Sequence, residues 1–446
     1  MPLDVPLSPE NPIVSTMRQQ ARDMFDHALA ECSIPAAFGC SVHFDNGSLR
    51  VGEATHRLDV FCNVAAISVG KAGHSMAEAL LCLIPVPISG IVACPVVPAS
   101  PVAGFQYFHG GHPLPNEDSL RAGSAILDFL CGLPERSLVF FLISGGASAI
   151  AEKPIRPDLT LSDVVETTRT LVHSGAPIAE INAIRKHLSA IKGGRMAQAA
   201  APATQVSLLV SDVPQRALDA LASGPTMPDT STVADCCDIV RRYNLLDRLP
   251  QRVRLIFANM ELQETPKPGD PEFARSQYIT VLSNQTAVEA AKARAAAVGF
   301  SVEVDSSCDD WDYARAADYL LARIRELRSR ASPVCLISGG EVTVTIGGHS
   351  GTGGRNQQFA LYCAQKIAGE PITVLSAGTD GIDGNSVAAG AVVDGTTIPR
   401  ASSRNFNPTL ALSRFDAFPL LQAVGDAIIT GPTGNNVRDL RILLAY

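Results

Sequence analysis

The sequence predicts an α/β protein of more than one domain, built on mainly parallel sheets. Short apolar runs rich in β-branched residues alternate with amphipathic stretches along nearly all 446 residues, the rhythm of βα units. At roughly 150 residues per domain, that length holds about two or three domains. Most apolar runs end in a turn of Gly, Ser or Asp, and ligands of open α/β sheets collect at such carboxyl ends.

The elements follow in order. Val64–Val69, Gly90–Cys94, Leu138–Ile143 and Val206–Val210 read as strands. Ser75–Leu81, Ser119–Leu130 and Leu161–Ser174 read as helices between them. Thr265–Ser276 (TPKPGDPEFARS) is rich in proline and charge, which weakens helix and sheet alike. It marks the expected boundary between a first domain, 1–265, and a second, 276–446. In the second, Tyr278–Ser283, Val334–Ile337 and Thr373–Leu375 read as strands, and Ala287–Val298 and Tyr313–Arg330 as helices.

Composition excludes several classes. With 46% hydrophobic and 18% charged residues the chain is compact rather than disordered. A net charge of −8 argues against a broad nucleic-acid surface, which needs a positive field. The most apolar stretch, Leu80–Val97, is broken by Pro85, Pro87, Gly90 and Pro95. A membrane-spanning helix needs about 20 residues free of such breaks, so a soluble protein is expected. The N-terminus lacks a basic region followed by an apolar core, so no secretory signal is expected. Eleven cysteines without a C-x-x-C suggest free thiols in a reducing cytoplasm.

The chain contains no G-x-x-x-x-G-K-[ST], G-x-G-x-x-G after a strand, or G-x-S-x-G. What remains are small polar turns. Val69-Gly70-Lys71-Ala72 sets a Lys at a helix start, suited to an anion, although an isolated Gly-Lys is often only solvated. Gly347–Asn356 (GGHSGTGGRN) brings glycines, including Gly353 and Gly354, up to Arg355; it suits a phosphate or a flexible hairpin. Asp380-Gly381-Ile382-Asp383-Gly384 carries two carboxylates suited to magnesium shared with phosphates, or simply two tight turns. Asp212 adds a carboxylate at another strand end. Arg185 and Lys192 are seven apart, which places them on one helix face to hold an anion or to be solvated. His112, in His109-Gly110-Gly111-His112-Pro113, is a ligand or a loop residue. Leu-Ile-Ser-Gly-Gly occurs twice, at 142–146 and 336–340: two anion-gripping turns, or a common way to leave a strand.

In order along the chain, GKAGHSMA, GGHPLPNEDSLRAG, LISGGASA, INAIRKHLSAIKGGRMA, SDVPQRALDALASGPTMPD, ETPKPGD, ISGGEVTVTIGG, GTGGRNQQFAL, SAGTDGIDG, AAGAVVD and TGPTGNNVRDL resemble the class II glycerate kinases (glycerate 2-kinases), whose C-terminal part is called MOFRL. The resemblance covers nearly the whole chain, from about Gly70 to Leu440, with the MOFRL region at about 333–441. It implies a Rossmann-like first domain, a second α/β domain, and an active site in the cleft between them. It also implies ATP-dependent phosphorylation of D-glycerate to 2-phosphoglycerate with Mg2+; the small-molecule partners are then D-glycerate and ATP, and a homodimer is compatible with it. By position Lys71 and Arg355 match the family's cationic pair, and Asp212, Asp380 and Asp383 its acidic positions, any of which could touch the metal and of which Asp212 is the candidate to accept the hydroxyl proton. Ser144, Gly145, Gly146 and Ser148 match its first glycine turn and Glu341 its second. Pro214-Gln215-Arg216-Ala217 departs from the family, which usually carries a Gly and acidic residues there. Members are also labelled hydroxypyruvate reductases, a reading that the missing dinucleotide fingerprint opposes. A kinase for a related small hydroxy acid is the other alternative.

Overall fold

The computed structural model describes residues 12–213, 215–347, 351–434 and 436–446, with the side chains of residues 215–217 and 219 left undescribed. These residues form two compact units. One is Ile34–Val281; the other joins the described residues up to Ser33 to Leu282–Tyr446.

The Ile34–Val281 unit begins with a small antiparallel sheet, β1 (Val42–Asp45), β2 (Ser48–Val51) and β3 (Ala54–Arg57). Its main sheet contains β4 (Asn63–Val69), β5 (Ser89–Cys94), β6 (Phe105–His109), β7 (Ser137–Ile143), β8 (Thr204–Val210) and β9 (Ser276–Leu282), in the order β6-β5-β4-β7-β8-β9. The pairings from β6 through to β8 are all parallel. β7 reads SLVFFLI and is buried throughout, as a strand covered on both faces must be. Val69 pairs in register with both Ala93 and Ile143, so the turns after these strands emerge side by side. The helix Glu117–Cys131 packs on this sheet, started by a capping box in which the Asn116 side chain accepts from Ser119 N. A separate helical core gathers Leu171, Ile184, Cys236, Ile239 and Val253.

The other unit contains β10 (Ser301–Val304), β11 (Val334–Gly339), β12 (Ile372–Gly378), β13 (Gly390–Asp394), β14 (Ala427–Ile428) and β15 (Asp439–Ala445), ordered β10-β11-β15-β12-β13-β14. Only β10 and β11 are parallel; the other pairings are antiparallel. The expectation of mainly parallel sheets therefore holds for the first sheet and is corrected for the second. β12 and β13 are joined without a helix, which favours an antiparallel return. The final strand, DLRILLA, is buried at every residue and inserts antiparallel between β11 and β12.

The units also divide elsewhere than at Thr265–Ser276. That segment is packed rather than linking: the buried Thr265 hydroxyl donates to Asp229 at 2.9 Å, and Asp229 N donates to Pro266 O at 2.9 Å. β9 then completes the first sheet, so the division falls after Val281. At the other end the helix Pro12–Glu31 packs against the helix Asn284–Ala297 and against β12, β13 and β15. Arg18 fixes it there through Asp394 at 2.6 Å and Asp426 at 2.7 Å. All eleven cysteines are free thiols. Among the described residues no helix is long and apolar enough to cross a membrane.

Candidate active site

In the first sheet the chain order reverses between β4 and β7: β5 and β6 lie to one side, β8 and β9 to the other. Loops leaving the two strands diverge there and open a crevice. After β4 come Gly70-Lys71-Ala72 and the helix Gly73–Leu83; after β7 come Ser144-Gly145-Gly146 and the short helix Ala147–Ile150. The turns are laced together. Ser144 N donates to Val69 O at 3.1 Å, Lys71 N to Gly145 O at 2.9 Å, and Ala72 N to the Ser144 hydroxyl at 3.1 Å. Gly70 has φ 134°, and a Cβ there would strike Ser144 Oγ, so only glycine makes this turn. The Lys71 side chain is left exposed at the helix start.

Two more groups meet this turn. Asp212, following β8, lays its carboxylate against Gly145. His112, following β6, lays its ring against Gly146, with Cδ2 2.8 Å and Nε2 3.2 Å from the point a Cβ would occupy. Burial and the Lys71 charge pull His112 below its ordinary 6.5, against the opposing field of Asp212. His112 is thus neutral near pH 7. The structure brings Lys71, Ser144, Gly145, Gly146 and Asp212 to one turn, and His112, left open by the sequence, joins them. Its signal was a Gly-Gly-His-Pro turn just beyond a strand too short and mixed to be recognised as β6. Pro214 and the side chains of Gln215, Arg216 and Ala217 lie outside the described residues.

Arg185 and Lys192 do not form one anion-binding helix face. The helix Ile178–His187 ends before Lys192, because Ile155 N donates to Leu188 O and Ala190 N to Lys153 O, drawing the chain into an extended contact. Lys192 is 1% exposed and its ammonium is paired with Glu152. Burial pulls that ammonium below its ordinary value, against the attraction of Glu152. Ser148 bonds the Ser223 hydroxyl at 2.8 Å, close to Arg185.

The second unit has its own cavity, about 800 Å³, lined in part by Asp310, Glu341, Gly353, Gly354, Arg355, Asp380 and Asp383. Arg355 donates through Nε and Nη2 to Asp439, at 2.6 and 3.0 Å, and lies 2.9 Å from Glu341. Its Nη1 makes no hydrogen bond among the described residues. Burial holds the Glu341 carboxyl above its ordinary value, against the pull of Arg355.

Two expectations are corrected here. Asp383 is 2% exposed and caps the helix Arg355–Lys366: its oxygens accept from Asn356 N at 3.1 Å and Gln357 N at 2.9 Å. Burial pushes it up to about 6, against those donors. Asp380 and Asp383 therefore do not act as a joint metal pair; Asp380 faces the cavity, one oxygen accepting from Ile382 N at 3.1 Å. A Cβ on Gly354 would collide with Asp383, so this glycine makes room for the cap instead of a phosphate. The Ser338-Gly339-Gly340 turn also differs from its echo. Gly339 N donates to Ser306 Oγ and Glu341 N to Asp309, both at 3.0 Å, so those donors are already used. Residues 348–350 of the preceding glycine segment lie outside the described residues.

A family model described as a domain of unknown function (DUF4147) matches residues 20–258, and the MOFRL family model matches 334–439. A D-glycerate 2-kinase of Thermotoga maritima is 35% identical over 386 residues, 85% of this chain and 90% of that protein. A putative hydroxypyruvate reductase of Agrobacterium vitis is 37% identical over 386 residues, 85% of this chain and 86% of that protein. The crystal structure of a glycerate kinase from Thermotoga maritima matches with a TM-score of 0.86 at 32% identity, covering 97% of this chain and all of that one. With both models matched and such relatives spanned nearly end to end, the chain belongs to the MOFRL-containing glycerate kinase family and is a kinase.

Proposed function

We propose that this protein is a cytoplasmic enzyme that transfers the terminal phosphoryl group of ATP to the 2-hydroxyl of D-glycerate, with Mg2+, giving 2-phosphoglycerate. One observation carries the reading most: an exposed lysine, a histidine and a carboxylate gather on one glycine turn at the reversal point of the sheet. Phosphoryl transfer asks a protein mainly for positioning and charge neutralisation. Lys71 neutralises charge on the transferring group. His112 takes the hydroxyl proton, and Asp212 steadies the imidazolium that results. Arg355 offers its remaining Nη1 to a phosphate oxygen, held in place by Asp439 and Glu341.

The donor set also fits magnesium. Among the described residues no three His, Cys, Asp or Glu side chains are grouped to hold an ion alone. Magnesium is commonly held by one or two carboxylates plus substrate phosphates, and Asp380 on the cavity wall would supply one. When bound, the ion contributes neutralisation of phosphate charge. Asp380→Asn is expected to raise the Mg2+ concentration for half-maximal activity several-fold without moving the melting temperature. Asp383→Ala is expected to lower stability by about 0.5–2 kcal/mol, the scale of a lost helix cap. Magnesium titration and thermal melts of both variants check this; identical magnesium curves for Asp380→Asn and wild type remove Asp380 from the metal role.

Neutral His112 gives the reaction a pH signature. A histidine pulled below 6.5 accepts a proton at neutral pH and is lost as acceptor when pH falls through its lowered pKa. The acid limb of kcat/KM for glycerate is expected below pH 6.5 in wild type and absent, with a lower plateau, in His112→Gln. An unchanged limb in that variant would assign it to another group.

The reductase reading shares the sheet and its crevice, so the fold does not decide between them. It lacks the dinucleotide fingerprint: the first βα turn reads Val-Gly-Lys-Ala. The deciding assay supplies glycerate, ATP and Mg2+ and identifies the product by position, beside NADH or NADPH with hydroxypyruvate. Phosphoglycerate without nicotinamide oxidation is the expected outcome; the converse overturns the kinase reading.

A further inference from the structure

Arg185 stands on the last turn of the helix Ile178–His187, half-buried, with no ion pair among the described residues. Its contacts among the described residues are weak: Nη1 to Asn182 Oδ1 and Nη2 to Ser148 O, each at 3.5 Å, the outer limit of a hydrogen bond. The carboxylate whose field reaches it, Glu152, is already spent. One Glu152 oxygen pairs with the Lys192 ammonium; the other accepts from Ser189 Oγ at 2.5 Å and Lys153 N at 2.9 Å. Among the described residues Arg185 and Lys192 thus share one carboxylate, which leaves one positive charge uncompensated there. Burial pulls Arg185 below its ordinary value with only Glu152 opposing. Partly desolvated charge without a partner is costly, and a ligand anion would relieve it.

The side chains around Arg185 are polar. Ser148 Oγ and Ser223 Oγ are 2.8 Å apart, and Ser223 Oγ also donates to Asn182 Oδ1 at 3.2 Å. Ala222 and Ser223 hold left-handed backbones, φ 54° and 60°, unusual for residues other than glycine. The neighbouring turn enforces this: Gly193 N donates to Ser223 O at 3.0 Å and Gly194 N to Gly224 O at 2.8 Å. Such strain persists where surrounding structure over-determines it and clusters at binding sites. Ser148 lies two residues beyond Gly146, the residue that His112 packs against.

We propose that Arg185, with the Ser148 and Ser223 hydroxyls, forms the carboxylate-binding subsite for the hydroxy-acid acceptor. The guanidinium fork matches two carboxylate oxygens; the Ser148 hydroxyl donates beside it by turning from Ser223 to the ligand, and Ser223, which donates to Asn182, fixes where Ser148 sits. This fixes the acid end of the acceptor next to the turn that carries Gly146, so that the adjacent 2-hydroxyl faces the His112 side. The subsite selects a 2-hydroxy acid over a polyol. It rests on the acceptor chemistry proposed above and adds which residues read the acid group.

The test uses the full-length chain, with D-glycerate binding measured by calorimetry without nucleotide and steady-state kinetics measured alongside. Arg185→Gln is expected to raise the Kd and KM for glycerate about a hundredfold, the scale of a truncated partner of a buried charge pair. The KM for ATP stays within twofold. Discrimination between glycerate and glycerol, which lacks the carboxylate, shrinks by a similar factor. The melting temperature holds or rises, because an uncompensated charge has been removed. Ser223→Ala raises the glycerate KM several-fold in the same pattern. Wild-type glycerate affinity in Arg185→Gln, or an equal loss for ATP and glycerate, overturns the subsite while glycerate phosphorylation by wild type still stands. Arg185-dependent glycerate binding without phosphorylation by wild type retains the subsite and overturns the kinase reading.

Discussion

Lys71→Ala is expected to lower kcat between about a hundredfold and a thousandfold, the scale of losing one preorganised charge contact in a transition state. The Lys71 backbone is pinned by its own N–H to Gly145 O, and its neighbour Ala72 N is tied to Ser144 Oγ. The side chain therefore starts from a fixed point at the mouth of the crevice, with little reorganisation left for the reaction. Because Lys71 is exposed and its backbone bonds survive the substitution, folding should be unaffected. The loss should appear in kcat and in kcat/KM together, the mark of an interaction made mainly in the transition state. A rise in the KM for ATP at unchanged kcat would make Lys71 a ground-state phosphate binder. Wild-type kinetics would remove it from the chemistry. The same substitution withdraws a positive charge from His112, so the histidine's pKa should climb back toward 6.5. The acid limb of the pH profile should move upward with it.

The central parallel sheet was legible because its strands announce themselves as apolar runs. Strands buried on both faces, such as Ser137–Ile143, cannot be read as anything polar or exposed. The turns after them were legible for the same reason, since each begins where the apolar run stops. Other features carried no local signal. The position of Asp439–Ala445 between β11 and β12 is set by long-range pairing. The helix Pro12–Glu31 joins a sheet hundreds of residues away through Arg18, which no window on the sequence contains. The roles of paired residues were the hardest to read. Asp380 and Asp383 look equivalent in Asp-Gly-Ile-Asp-Gly, yet the helix Arg355–Lys366 recruits one of them as its cap. Arg185 and Lys192 look like one face of a helix that in fact stops at His187.

Asp439→Ala is expected to be the most destabilising of these substitutions for the unit that contains it, and the reason lies in two arginines. Asp439 is 1% exposed and accepts both hydrogen bonds of the Arg355 fork. It is also the leading opposing charge for Arg441, which is fully buried. Arg441 otherwise relies on Gly340 O at 2.7 Å, a longer contact of 3.4 Å to Ser338 Oγ, and the face of Phe359, and its Nε has no hydrogen-bond partner among the described residues. Removing the carboxylate leaves Arg441 buried with only the weaker field of Asp309 among the carboxylates opposing it, and Arg355 paired with Glu341 alone, with Asp383 adding a weaker field. Breaking a buried pair in this way costs about 3–5 kcal/mol, which corresponds to a fall of roughly 6–20 °C in melting temperature for a unit of this size. Arg355→Lys provides the contrast. It keeps a charge beside Asp439 but not the fork, so its melting temperature should fall far less than that of Asp439→Ala. Its activity should still drop, because the Nη1 left for phosphate goes with the guanidinium. If Asp439→Ala melts like wild type, the pair does not hold this unit together. Arg355 would then owe its position to Glu341 and to the glycine turn from Gly351 to Gly354.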